Sequence, residues 1–164
     1  MARRAASGSA ATPATAALTA AGVAFTQLAY DHDPAAPSFG LEAAQALGLP
    51  AEQVFKTLLV DTGDGLAVGV VPVTGLLDLK ALAAALGVKR VTMADPAAAE
   101  RSSGMVVGGI SPLGQRRALP TVVDESVDLF EVVYVSGGRR GLDVGLSPAD
   151  LVRLTGASVA DIAR

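Results

Sequence analysis

Val54-Phe55-Lys56-Thr57-Leu58-Leu59-Val60, then Asp61-Thr62-Gly63-Asp64-Gly65, then Leu66 to Val73: two apolar runs flank a turn-forming cluster, the pattern of a β-hairpin. The turn exceeds the two-residue type and calls for a left-handed glycine. Pro72 has no backbone donor, which puts it at an edge, a bulge or the strand end. Strand parity sets Lys56 beside Val54 and Leu58 on one face, with Phe55, Thr57 and Leu59 on the other. An ammonium in such a run must reach water or an anion, because burying it unpaired is costly. Two readings of Lys56 fit this window. One is a rim lysine on an edge strand; the other is a lysine at a pocket mouth that orients a carbonyl, carboxylate or phosphate oxygen.

On the N-terminal side of the hairpin, Thr12-Pro13 has the form of an N-cap and first helical position, and Gly22 closes that helix. Val23, Phe25 and Gln27 follow as one strand face, and Asp31-His32-Asp33-Pro34 punctuates the chain as a loop. A second helix is expected from near Ser38, with Leu41, Ala44 and Leu47 at core spacing and Gly48 as its stop, before a turn carrying Glu52 and Gln53. On the C-terminal side, residues 77–86 read as the clearest helix, Val88–Met93 as a strand and Asp95-Pro96 as a helix start running to about Arg101. Strands are expected at Met105–Val107, Leu119–Val123, Glu131–Val135 and Leu142–Val144, with residues 136–141 as a tight glycine-rich connection. Ser147-Pro148-Ala149-Asp150 starts a last helix, whose apolar face takes in Leu151, Leu154 and Val159. Short strands among short helices give an α+β fold, a mixed, strongly curved sheet with surrounding helices. The phosphate-cradling glycine motifs of the nucleotide-binding folds are absent.

The chain has 164 residues, 51% of them hydrophobic but only 4% aromatic, and no Trp. One domain over residues 12–164, with a core of Ala, Val and Leu, fits that balance, and residues 1–11 read as a flexible tail. The formal charge is −3, which argues against wholesale wrapping of nucleic acid but leaves room for a local basic patch. Basic pairs stand at Arg3–Arg4, Lys89–Arg90, Arg116–Arg117 and Arg139–Arg140. Cysteine is absent and His32 is the single histidine, so there is no protein thiolate and little material for a His-based zinc site or a Ser–His pair. No cofactor and no metal are expected. Without a signal-type apolar region or a membrane-length apolar run, the expected location is cytoplasmic, away from membranes.

Gly108-Gly109-Ile110-Ser111-Pro112 reads either as a nest of backbone N–H groups for an anion or as a plain sheet corner. Ser111 lacks a neighbouring base and is a poor nucleophile candidate. Asp143 is placed to pair with Lys56, to bind substrate or to cap a turn. Tyr30 and Phe39 flank the Asp31-His32-Asp33 loop, as pocket walls or as packing, and His32 reads as a loop residue satisfied by a nearby carboxylate.

Tyr30–Pro34, Val54–Val60, Met93–Pro96, Val107–Gly114 and Tyr134–Asp143 occur in one order. Together they resemble the YbaK/EbsC family, in particular its Cys-tRNA(Pro) deacylase members, over about residues 12–164. That resemblance implies the mixed fold of the editing domain of bacterial prolyl-tRNA synthetases, acting as a free-standing editor. It matches Lys56 to the functional lysine and Tyr30 and Phe39 to pocket aromatics. Thr57 falls beside the lysine, Gly109, Ile110 and Ser111 match a substrate-contacting loop, and Asp143 matches a site aspartate. It further implies that the substrate's own thiol attacks its ester and leaves as a cyclic thiolactone. The implied partners are misacylated tRNA, especially Cys-tRNA(Pro), and prolyl-tRNA synthetase in a transient complex. Charge and loop placement nominate Arg116, Arg117, Arg139 and Arg140 for tRNA phosphates. Two alternatives stand beside this reading: a deacylase for Ala-tRNA(Pro) or another small amino acid, and a non-catalytic aminoacyl-tRNA-binding module.

Overall fold

Helix ends in this chain fall where side-chain chemistry puts them. The computed structural model describes residues 11–164, so most of the expected N-terminal tail lies outside the described residues. The α-helices are α1 (Pro13–Ala21), α2 (Phe39–Leu47), α3 (Leu79–Leu86), α4 (Pro96–Ser103) and α5 (Pro148–Thr155). Thr12, Ser38, Asp78, Asp95 and Ser147 cap their N-termini through side-chain oxygens, and each ends at a left-handed glycine. The strands are β1 (Thr26–Ala29), β2 (Phe55–Asp61), β3 (Leu66–Pro72), β4 (Thr92–Met93), β5 (Thr121–Asp124), β6 (Val133–Arg139), β7 (Leu142–Leu146) and β8 (Ser158–Ala160).

The expected hairpin pairs throughout, from Phe55 opposite Pro72 to Asp61 opposite Leu66, with Gly63 at φ +92° in its turn. Pro72 ends β3. The curved sheet resolves into two: an antiparallel trio in the order β1-β7-β6, and a mixed five-stranded sheet in the order β4-β2-β3-β5-β8. They meet where Val54 bridges Tyr134, at the entry to β2. Phe55 and Leu59 face a central core shared with Val68, Val70, Val135 and Val144, while Leu58 and Val60 face a second core under α3. The parity read from the sequence therefore holds.

Five local expectations change. Met105–Val107 is a turn, not a strand, because Gly109 N–H donates to Val106 O and Ser111 N–H to Met105 Sδ. The strand expected from Val88 shrinks to β4, since Val88 N–H closes the end of α3 on Ala83 O. α4 runs on through Ser103. The glycine-rich 136–141 segment is mostly strand, continuing β6 to Arg139 through an irregularity between Ser136 and Arg139. Val159 lies in β8 instead of extending the face of α5.

The segment that follows β8 is locked by one carboxylate. Asp124, 4% exposed, accepts from the main-chain N–H groups of Ile162, Ala163 and Ser126 and from the Ser126 hydroxyl. Burial pushes its pKa up, but these hydrogen bonds outweigh it and hold the carboxyl below its ordinary 3.8. Because the folded value lies below the unfolded one, the stabilisation is complete above about pH 5 and is lost as pH falls through the folded value. Asp124→Ala is expected to cost about 3 kcal/mol at neutral pH, from several buried donors left unpaired. Urea unfolding at pH 7 and pH 3 checks this: the gap between wild type and variant should narrow at pH 3.

Candidate active site

The site follows from how the edge of β2 is shared. β6 reaches β2 only at Val54 and β4 pairs with it only at Val60 and Asp61. Between them that edge of β2 has no strand partner among the described residues. Leu59 O spans part of the gap to Ala94 N–H. Strand alternation turns the Thr57 main chain to the same side, two residues earlier. Unpaired main-chain groups at such an edge need a partner. Here the edge borders a cleft of about 290 Å³ lined largely by apolar groups, with Lys56, Thr57, Tyr30, Ser136 and Asp143 as its polar lining.

Lys56 is half-buried and has no ion-pair partner among the described residues. Burial alone lowers its pKa from the ordinary 10.5. This favours the pocket-mouth reading over a fully solvated rim lysine. The Thr57 hydroxyl is buried and unpartnered against the same cleft. Asp143, on β7, is 4% exposed, and burial pushes its carboxyl up to about 7. It does not form the ion pair with Lys56 that the sequence left open. Its cross-strand partner is Ser136 on β6, whose hydroxyl also lines the cleft. Tyr30 completes the floor: burial first, then the charges of Asp143 and Glu42, push its phenol up to about 12.

Phe39 walls the mouth, 36% exposed. His32 stacks on it at 5.7 Å between ring centroids and places Nδ1 2.9 Å from Glu42 Oε1. The Arg140 guanidinium lies 5.1 Å from the Phe39 centroid, and its Nε donates to Val107 O at 2.9 Å. Two glycines make this closure possible. Gly108 has φ +91°, and a Cβ there would come within 2.6 Å of the Phe39 ring; one on Gly109 would come within 2.6 Å of the Arg139–Arg140 main chain.

The expected 109–111 loop divides. Ile110 lines the cleft, but Gly109 and Ser111 do not. Ser111 is fully buried, and its Oγ accepts from Leu113 N–H. The N–H groups of Gly109 and Ser111 are already spent inside the loop, so an anion nest built on those two groups is not what the loop forms; Gly108 is the glycine that meets the cleft. Ser136, Gly108, Met93, Ala94 and Pro96 line the site; they fall inside segments the sequence reading marked, but none was named there as a site residue. Ser136 was legible only as the strand partner of Asp143, which required knowing that β6 continues past Val135. Among the described residues no group of three or more His, Asp or Glu side chains is placed to hold a metal ion.

A family model for the aminoacyl-tRNA editing domain matches residues 33–154. A protein of Enterococcus faecalis named as a candidate Cys-tRNA(Pro)/Cys-tRNA(Cys) deacylase, EbsC, is 37% identical over 120 residues, which are 73% of this chain and 73% of that protein. A crystal structure described as a candidate trans-editing enzyme for prolyl-tRNA synthetase superposes with a TM-score of 0.82 at 28% identity, covering 95% of this chain and 99% of that one. The crystal structure of a hypothetical protein, APE2540, superposes with a TM-score of 0.79 at 30% identity, over 90% of this chain and 96% of that one.

The buried Asp143 has a measurable consequence. Its folded pKa, about 7, lies above the unfolded value near 3.8. The protonated form is therefore favoured by folding, and this contribution falls away as pH rises from about 4 through 7. Asp143→Asn, which keeps the shape and removes the titration, is expected to flatten that decline and to be more stable than wild type relative to its own value at pH 5. Thermal unfolding between pH 5 and 9 checks it; parallel curves for the two proteins would contradict it.

Proposed function

Because this chain belongs to the YbaK/EbsC-like aminoacyl-tRNA editing domain family, we propose that it is a free-standing deacylase that clears Cys-tRNA(Pro). The observation that carries the reading is a small, largely apolar cleft with a free ammonium at its mouth and no activated protein nucleophile in it. The sequence has no cysteine, His32 is bonded to Glu42, and Ser111 is buried away from the cleft. Ser136 lines the cleft, and its hydroxyl accepts from Gly138 N–H with no histidine beside it. A cleft of about 290 Å³ has room for one small aminoacyl group.

The chemistry then comes from the substrate. The cysteinyl sulfur attacks its own ester carbonyl, the bond from that carbon to the ribose oxygen breaks, and the thiol proton ends on the ribose hydroxyl. The products are a cyclic thiolactone and tRNA with a free terminal hydroxyl. The ester is already reactive, so orientation supplies much of the rate. Lys56 anchors the terminal phosphate or ribose region as a cation. The free edge of β2 at Thr57 offers main-chain and hydroxyl hydrogen bonds to the aminoacyl group, and Tyr30, Phe39 and Ile110 enclose it. Asp143, whose carboxyl burial pushes up to about 7, lies within the pocket as a hydrogen-bonding group.

A synthetase for proline cannot reject a smaller or similar amino acid by binding alone, since a methylene difference supplies about 1–3 kcal/mol. A separate editing pocket answers that limit. With a net charge of −3, this chain would hold tRNA weakly by itself, and a transient complex with prolyl-tRNA synthetase would deliver the substrate.

Single-turnover release from Cys-, Ala- and Pro-tRNA(Pro) tests the reading. Cysteine should be released fastest and proline spared; preferential release of alanine would select the related enzyme, and binding without release a non-catalytic module. Lys56→Ala should slow release by about 10- to 100-fold, the worth of one charge-assisted hydrogen bond. Lys56→Arg should recover little, because a planar fork does not replace a compact ammonium. Wild-type turnover by a folded Lys56→Ala variant would remove the lysine from the mechanism.

A further inference from the structure

The cleft leaves part of the chain's polar chemistry unused. α4 presents Pro96 and Ala99 to the cleft, but Ala98, Arg101 and Ser102 lie on a second concavity of about 260 Å³, shared with Gly65, Leu66 and Arg117. Ser102 is 8% exposed, and its hydroxyl is buried with no hydrogen-bond partner. Buried hydroxyls are rarely left so unless a ligand or water completes them.

Two exposed arginines line this concavity and a third lies next to one of them in sequence. Arg101 and Arg117 line the concavity, and Arg116 folds across Gly104, its Nε 3.3 Å from where a Cβ on that residue would stand. Among the described residues none of the three makes an ion pair or a side-chain hydrogen bond. Helix capping does not occupy them either. The last carbonyls of α4 are met by main chain: Gly104 N–H donates to Glu100 O at 2.9 Å, Arg116 N–H to Ser103 O at 2.9 Å, and Arg117 N–H to Ser102 O at 3.2 Å. No acidic residue lines the concavity. Nearby in sequence, Glu100 is occupied, accepting from Val107 N–H at 2.8 Å. The other basic pair differs: Arg139 Nη1 donates to Arg140 O, and Arg140 is tied to Val107 O and Phe39. The two pairs that the sequence treated alike are therefore not equivalent. One braces the cleft mouth, and the other belongs to an uncompensated cluster of guanidinium donors suited to an oxyanion.

We propose that Arg101, Ser102 and Arg117, with Arg116 beside them, form a phosphate subsite that grips the RNA strand whose aminoacylated end occupies the cleft; this rests on the aminoacyl-tRNA reading given above. The two sites share α4 but occupy different faces of it: Pro96 and Ala99 face the cleft, and Ala98, Arg101 and Ser102 face the concavity. A strand leaving the cleft must therefore pass over the helix, about 10 Å across with its side chains, and it meets the subsite with a phosphate inward of its terminal residue. The subsite reads backbone and carries no base specificity.

The test is the Arg101→Gln/Arg117→Gln double variant, with Ser102→Ala as a second, charge-neutral probe. Each is compared with wild type on full-length charged tRNA and on a minimal aminoacyl-adenosine ester that lacks the neighbouring phosphates. For the double variant, the KM for charged tRNA should rise about tenfold or more. The slope of log affinity against log salt should become shallower by about 1.5, for two lost contacts. Turnover of the minimal ester should be unchanged. Inorganic phosphate should inhibit wild-type turnover of tRNA and inhibit the double variant less, and Ser102→Ala should show a smaller rise in KM with the salt slope retained. An unaltered KM and salt slope in a double variant of wild-type circular dichroism would overturn the proposal. Weakened phosphate inhibition with unaltered tRNA affinity would also overturn it, because the site would then take a free anion and not RNA. A wild type that releases no amino acid but loses RNA affinity on Arg101→Gln/Arg117→Gln would remove the deacylase reading while leaving the subsite in place.

Discussion

The cleft in this fold depends on a strand edge that is left open. The chain is bridged to β6 only at Val54, just before β2, and to β4 at the last residues of β2, and the stretch between has a ladder on one side only. Had the partner strands been longer, Lys56 and Thr57 would be ordinary sheet residues. The break between two sheets exposes main-chain groups on a rigid strand, and rigid elements hold a binding geometry better than loops do. The core beneath it, built from Val, Leu and Ala with Phe55 and Leu59 pointing inward, keeps that strand fixed.

The walls of the cleft come from elements far apart in sequence, and close backbone approach brings them together. The 108–111 loop lies against the β6–β7 hairpin only because Gly109 has no side chain, and Phe39 swings over the mouth only because Gly108 has none. Arg140 ties the two by bonding to Val107 O while covering the Phe39 ring. The result is a partly enclosed pocket in which burial alone shifts Lys56 and Asp143 toward their neutral forms. Polar groups held on rigid strands suit a reaction that needs orientation more than it needs a protein nucleophile.

The hairpin, the helix caps and the face on which Lys56 lies were all legible in the sequence, because turn glycines, Ser/Thr/Asp caps and strand parity are local signals. Tyr30, Phe39, Thr57 and Asp143 also line the cleft. What failed was non-local. Ser111 looked like a loop hydroxyl but is turned inward by Leu113 and Met105. Met105–Val107 had strand composition but is folded into a turn, with Gly109 N–H closing on Val106 O. Ser136 was hidden because a glycine-rich run after Val135 reads as a turn, and only its pairing with Leu142 and Asp143 shows it to be strand. The inequivalence of the two arginine pairs could not be read locally at all, since it depends on which carbonyls fold back to meet them.

The central claim is that the open edge of β2 positions a substrate which then supplies its own nucleophile. The most direct measurement is rapid-quench mass analysis of the first product released from Cys-tRNA(Pro). The account predicts that cysteine thiolactone forms first and free cysteine follows by its hydrolysis. Free cysteine as the first product, with no thiolactone preceding it, would mean that water attacks the ester and would contradict the account.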